Sequence, residues 1–187
     1  MDESTLVRHA ANGDAAAWEP LVLAHQEAVF RLSYLLLGDP DDAEDVAQET
    51  FLRAYRSLHL FDDSRPLRPW ILSIAANLAR NRRRAAGRYL AALRRLVFAD
   101  PPDRTSIEEK SVMNIEAQSL WEAVQRLDEA SRQIVYLRYF LALSVEETAE
   151  VLGVAAGTVK SRLHRALGRL RGVVETEFPA LGEGRGR

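Results

Sequence analysis

Apolar residues recur along this chain every three or four positions, and alternating β-branched runs do not occur. That spacing predicts helices throughout and an all-α fold. A short first helix is expected over Thr5–Ala11, stopping at Asn12-Gly13. Asp14 can cap a longer helix from Ala15 to about Leu37, with Leu21, His25, Ala28, Leu32 and Leu35 near one face. Gly38-Asp39-Pro40 breaks it. The next helix is expected from about Asp41 to Leu58. Its inner side collects Val46, Thr50, Ala54 and Leu58 with Ala43, Ala47 and Phe51. Pro66 and Pro69 punctuate the loop after Phe61, and Pro69 suits the first turn of a helix carrying Trp70, Ile71, Ile74, Ala75 and Leu78. That helical stretch continues, strongly basic, to about Val97.

Regular structure ends at Asp100-Pro101-Pro102-Asp103. The stretch from Phe98 to about Asn114 is polar, acidic and poor in large apolar residues, which is the composition of a linker. A second helical block follows from Ile115 to about Val174. Within it, Ser144-Val145-Glu146-Glu147 has the capping-box pattern and opens a helix with Val145, Ala149 and Leu152 on one side. Gly153 ends that helix in a tight turn, Val154 plugs the space beneath, and a second helix runs from about Ala156 to Arg171. The expected organisation is two small helical domains, 1–97 and 115–175, joined by a flexible linker over 98–114 and followed by a disordered tail over 176–187.

Charge changes this picture. The formal net charge is only −2, yet Asp39 to Glu49 holds six acids and no base, while Ser64 to Ala99 holds nine arginines and no acid. Opposed blocks of this kind repel themselves and point to two partners, nucleic acid for the basic block and a basic protein surface for the acidic one. The absence of cysteine excludes disulfides and thiolate metal sites. No apolar run approaches the roughly 18 residues that suggest a membrane span. Met1-Asp2-Glu3-Ser4 lacks the positive start and apolar stretch of a signal peptide, so a cytosolic location is expected.

Three constellations carry candidate chemistry. The helix pair around Gly153 reads as a helix-turn-helix whose second helix turns Val159, Leu163, Ala166 and Leu170 inward and Ser161, His164 and Arg165 outward, flanked by Thr158 and Lys160. Ala155 and Ala156 lack the oxygen that usually caps such a helix. In the basic block, Phe61, Trp70 and Tyr89 are interleaved with Arg65, Arg68, Arg80, Arg82, Arg83, Arg84 and Arg88. Stacking platforms beside phosphate-binding arginines suit single-stranded or melted DNA, and Asn77 and Asn81, one turn apart, can hydrogen-bond an exposed base edge. The acidic block places Asp41, Asp45, Gln48 and Glu49 on one helical surface, a docking face. Asp41-Asp42 with Asp45 also spells the DDxxD pattern of all-helical prenyl-diphosphate enzymes, in which carboxylates hold Mg²⁺ against phosphates. That chemistry needs a deep aromatic cavity and a second carboxylate motif, and the chain offers neither. A helix-turn-helix repressor with a helical dimerisation domain is a third reading, which leaves both N-terminal charge blocks without a purpose.

Taken in order, three segments resemble a bacterial sigma-70 family sigma factor of the extracytoplasmic-function group. Asp39 to Phe51 is similar to the family's core-polymerase-binding helix. Phe61, Pro69-Trp70-Ile71 and Ile74-Ala75-Ala76-Asn77 with the trailing arginines are similar to its promoter-melting segment. Leu152-Gly153-Val154 and Gly157 to Ala166 are similar to its recognition helix. The resemblance implies that Asp41, Asp45, Gln48, Glu49 and Leu52 dock on core RNA polymerase. It further implies that Phe61, Trp70, Asn77, Arg80, Asn81, Arg83 and Arg84 read and open the minus-ten element. Thr158, Lys160, Ser161, Arg162, His164 and Arg165 would read the duplex minus-thirty-five element. The implied partners are core polymerase, promoter DNA and an anti-sigma factor. No catalytic residue, metal, cofactor or small-molecule substrate is implied, because the polymerase performs the phosphoryl transfer, and no membrane insertion is implied either.

Overall fold

The computed structural model describes residues 1–96, 115–179 and 181, with the backbone alone for 89–96 and 115–116. All regular structure among them is helical, as the apolar spacing predicts. The elements are α1 (Glu3–Ala11), α2 (Ala15–Leu37), α3 (Pro40–Ser57), a three-ten turn (Leu58–Leu60), α4 (Leu67–Leu96), α5 (Ile115–Gln125), α6 (Glu129–Val135), a π turn (Tyr136–Phe140), α7 (Val145–Leu152) and α8 (Ala156–Glu177). Two compact units result. Helices α1 to α4 form the first, and α5, α6, the first half of α7 and α8 form the second. The linker expected over 98–114 and the end of the tail over 182–187 lie outside the described residues.

In the first unit α1, α2 and α3 each start at a local cap. Asp2 accepts the Thr5 N–H at 3.0 Å, Asp14 the Ala16 N–H at 3.0 Å and Asp39 the Asp42 N–H at 2.8 Å. Each caps an orphan donor of the following helix. Gly38 closes α2 in the left-handed conformation, φ 77°, which a side chain would resist, and donates its N–H to the Tyr34 carbonyl at 2.8 Å. Helix α2 packs on α1, α3 and α4, and α3 packs on α4. Leu21, Val29, Leu32, Leu58, Leu67, Ile71 and Leu72 fill the space between them with no more than 1% exposure. Burying an aliphatic side chain of that size contributes about 1.5–3 kcal/mol. The buried hydroxyls of Ser33 and Thr50 donate to the carbonyls of Val29 and Val46, at 2.9 and 2.7 Å. His25 is buried with its Nε2 2.9 Å from Glu3 Oε2, tying α1 to α2.

Some expected core positions lie at the edge. Ala28 and Leu35 on α2, Ala47 and Phe51 on α3, and Trp70, Ile74 and Leu78 on α4 are half-buried, whereas Val29, Ser33 and Leu36 take the centre. The rotation of about 100° per residue puts neighbouring positions only part of a turn away, so a face read by spacing alone drifts by one residue.

In the second unit, Asp128 caps α6 by accepting the Ser131 N–H at 3.0 Å. Val124, Ile134, Tyr136, Leu137 and Leu143 form the core, and α8 packs on α6 and α5. Trp121, Tyr136 and Phe140 make a ring cluster with centroids 5.5–5.9 Å apart, and the Tyr136 hydroxyl accepts from Gln125 Nε2 at 2.8 Å. The π turn is followed by Ala142 at φ 55°, a left-handed backbone that alanine adopts at a cost. Helix α8 runs to Glu177, two residues beyond the expected domain end.

Candidate nucleic-acid and partner interfaces

The acidic stripe of α3 stands out from the first unit. Asp41, Asp45 and Gln48 are exposed, Leu52 is 52% exposed, and Glu49 is half-buried. Glu49 accepts from Arg53 Nε at 2.6 Å, a pair one helical turn apart. Asp42 and Asp45 both accept from one nitrogen, Nη2 of Arg82 on α4, at 2.5 and 3.0 Å. The hydrogen bond and charge of Asp42, seconded by Asp45, push the Arg82 guanidinium above its ordinary range against the effect of burial. The Arg82 guanidinium therefore sits against two of the three DDxxD carboxylates, where that pattern would hold Mg²⁺.

Beside that stripe, α2 and α3 leave an apolar groove of about 930 Å³. Trp18, Val22, Phe30, Phe51, Leu52 and Tyr55 wall it, and Gln26, Glu27, Glu44 and Gln48 rim it. Trp18 meets the rings of Phe51 and Tyr55 at 6.3 and 5.4 Å. The spacing predicts Phe51 in the core, whereas the structure sets it, half-buried, in this groove. Its signal was present: Trp18, Val22, Gln26 and Phe30 recur every four residues on α2, as do Ala47, Phe51 and Tyr55 on α3. Each helix thus carries an apolar stripe in addition to the one the core uses.

On the first part of α4, Trp70, Asn77, Asn81 and Arg84 follow at intervals of seven, four and three residues, so they share one face. Trp70 is half-buried and meets Phe61 at a centroid distance of 4.8 Å, making one aromatic step at the head of that face. Asn77, Asn81 and Arg84 are exposed, while Arg80 and Arg83 are half-buried. Arg80 donates to the Asn77 side chain and, through Nε, to the Ala76 carbonyl at 3.2 Å, so Asn77 is held in place. In the loop before α4, Asp62 accepts from the Ser64 hydroxyl at 2.6 Å and its N–H at 3.1 Å, and these bonds hold its carboxyl below the ordinary value. The Tyr89 side chain lies outside the described residues.

In the second unit the capping box is formed: Glu147 N–H donates to Ser144 Oγ at 3.0 Å, and Ser144 N–H to Glu147 Oε2 at 2.6 Å. Gly153 turns at φ 65°. Ala155 takes the extended conformation before α8 but gives no side-chain cap, leaving first-turn N–H groups of α8 without that partner. Val159 and Ala166 are buried, and Leu163 and Leu170 half-buried. Lys160, Ser161, Arg162, His164 and Arg165 are exposed and Thr158 is half-buried. Arg165 is steadied by donating from Nε to the Ser161 carbonyl at 3.3 Å. Arg169, farther along, is drawn away from any such face by Asp128 and Ser131.

Family comparison agrees with both halves. The model of sigma-70 region 2 matches residues 21–89, and that of sigma-70 region 4 matches residues 117–170. A four-helix region-2 unit with a helix-turn-helix region-4 unit defines a transcription initiation factor, not a member of a known enzyme family. The chain is 30% identical over 177 residues to the ECF RNA polymerase sigma factor SigW of Bacillus subtilis, covering 88% of this chain and 92% of that one. Among solved structures it resembles CnrH in complex with the cytosolic domain of CnrY, with a TM-score of 0.68 and 27% identity over 94% of this chain and 98% of that one. It also resembles the sigma factor RpoE of Bartonella quintana bound to the anti-sigma factor NepR, with a TM-score of 0.66 and 25% identity over 85% and 97%. The chain belongs to the sigma-70 family, as one of its extracytoplasmic-function RNA polymerase sigma factors. No described helix is long and apolar enough to cross a membrane.

Proposed function

We propose that this sigma factor works in the cytoplasm by dividing promoter recognition between its two units, assigned to residues 1–97 and 115–175. Asp41, Asp45, Gln48, Glu49 and Leu52 dock α3 on a basic surface of core polymerase. The Phe61–Trp70 step with Asn77, Arg80, Asn81, Arg83 and Arg84 receives the opened minus-ten strand, the aromatic pair stacking on a base and the arginines meeting phosphates. An unstacked base costs a few kcal/mol, which stacking and the asparagine hydrogen bonds offset. Lys160, Ser161, His164 and Arg165, with Thr158 and Arg162, lie along the major groove of the minus-thirty-five duplex. The sigma factor contributes no catalytic group. The observation that carries this reading is the single face of α4 on which Trp70, Asn77, Asn81 and Arg84 line up.

An anti-sigma factor is the regulator expected here. The groove between α2 and α3, apolar within and acidic at its rim, suits an amphipathic helix with basic flanks, laid in by its apolar face. Such a helix would cover the neighbouring polymerase stripe.

Co-purification with core polymerase tests the docking assignment. The native chain is expected to be retained, and Asp45→Arg with Glu49→Arg to be lost. A chain that ignores core polymerase and binds duplex DNA tightly as a dimer would be a repressor instead.

A further inference from the structure

Arg82 belongs by sequence to the DNA-facing arginine run, between Asn81 and Arg83, yet it reaches back 40 and 37 residues to Asp42 and Asp45. One of its acceptors, Asp45, is a member of the polymerase-docking stripe. The side chains of Arg82, Asp42 and Asp45 are 41%, 40% and 61% exposed, so water and salt screen the contact. An exposed pair of this kind is worth at most about five-fold in an equilibrium constant, and it exchanges readily. Arg82 and Asp45 each have a competing partner beside the surface they border. A cationic side chain of the polymerase can take the Asp45 carboxylate, and a DNA phosphate can take the guanidinium.

We propose that Arg82 is an exchangeable latch that couples the two surfaces. In the free chain it cancels part of the acid offered to polymerase, while Asp42 and Asp45 cancel one positive charge offered to DNA. Docking on polymerase engages Asp45 and leaves Arg82 with Asp42 alone, which loosens it toward the promoter. A DNA phosphate that captures Arg82 uncovers the docking stripe in return. Linkage makes the two effects equal: polymerase raises DNA affinity by the factor by which DNA raises polymerase affinity. The proposal rests on the assignment of the α3 stripe to polymerase and of the α4 face to DNA.

A double-mutant cycle on the full chain tests it, using a fluorescein-labelled single-stranded DNA of random sequence at low salt. Arg82→Gln alone is expected to change DNA affinity by less than about two-fold, since the acids already hold that charge. In the Asp42→Asn/Asp45→Asn background, the same Arg82→Gln change is expected to weaken binding about three- to five-fold. Only there should it reduce the slope of log K against log salt, by about 0.7. An equal loss in both backgrounds would mean that the acids act by general repulsion, and the latch would be wrong. Core-polymerase affinity separates the two layers of the argument. Arg82→Gln is expected to tighten core binding about two- to five-fold. If it does not, while Asp45→Arg still abolishes binding, the latch fails and the docking assignment stands. If core binding ignores both changes, the docking assignment itself fails. Far-ultraviolet circular dichroism confirms that each variant retains its helices.

Discussion

The Asp128 carboxylate accepts from the Ser131 N–H at 3.0 Å, from the Ser131 hydroxyl at 2.8 Å and from the Arg169 guanidinium. The Ser131 hydrogen bonds foremost, and Arg169 after them, hold it below the ordinary value of 3.8. Its contribution to folding is therefore complete above that pH and fades as pH falls through the lowered folded value. Asp128→Ala is expected to cost about 1 kcal/mol at neutral pH through the lost cap, and to flatten the loss of stability in acid, as followed by urea denaturation at several pH values. A Trp70→Ala chain is expected to bind the duplex minus-thirty-five element normally and to fail in opening, since it loses the ring that meets Phe61 at 4.8 Å. Permanganate reactivity of promoter thymines beside a mobility-shift assay separates these steps, and equal loss of both would refute the division. At this scale the sequence shows the residue types and their spacing but not their long-range partners. Arg169 counted as one more base of a basic helix, and its acceptor lies 41 residues away. Arg82 was likewise one arginine among nine.

Helices were the most legible level, because their limits are set by neighbours in the chain. Asp14, Asp39, Gly38, Gly153 and the Ser144–Glu147 box all act where their residue types place them. The π turn at Tyr136–Phe140 has no such local signature; it coincides with the packing of Trp121, Tyr136 and Phe140. The stripes that wall the groove between α2 and α3 are legible on each helix, but the groove itself exists only once the two face each other. The bare start of α8 was legible, and it makes an element-scale prediction. Ala155→Ser is expected to supply the missing cap and stabilise the second unit by about 1 kcal/mol. Trp121 fluorescence during thermal unfolding, in a chain with Trp18→Phe and Trp70→Phe, reads that unit. On the exposed side of the same helix, Arg165→Ala is expected to weaken minus-thirty-five duplex binding several-fold by mobility shift, without altering opening at saturating protein.

For the whole molecule, sorted charge was the strongest sign of function and also the most easily over-read. Six acids against nine arginines suggested two separate partners, but Asp42, Asp45 and Arg82 spend part of that charge on each other. What remains at the surface still divides, with acid along the start of α3, a polar face on α4 headed by the half-buried Trp70, and a basic face on α8. The proposed function assigns the first of these to polymerase and the other two to the two promoter elements. Run-off transcription with core polymerase on a randomised promoter library tests this most directly. Templates that share an upstream and a downstream element at fixed spacing are expected to be enriched. Their transcription should vanish with Asp45→Arg/Glu49→Arg, and their upstream element should lose definition with Arg165→Ala. Transcription no greater than core polymerase gives alone, or enrichment unchanged by all three substitutions, would contradict the assignment.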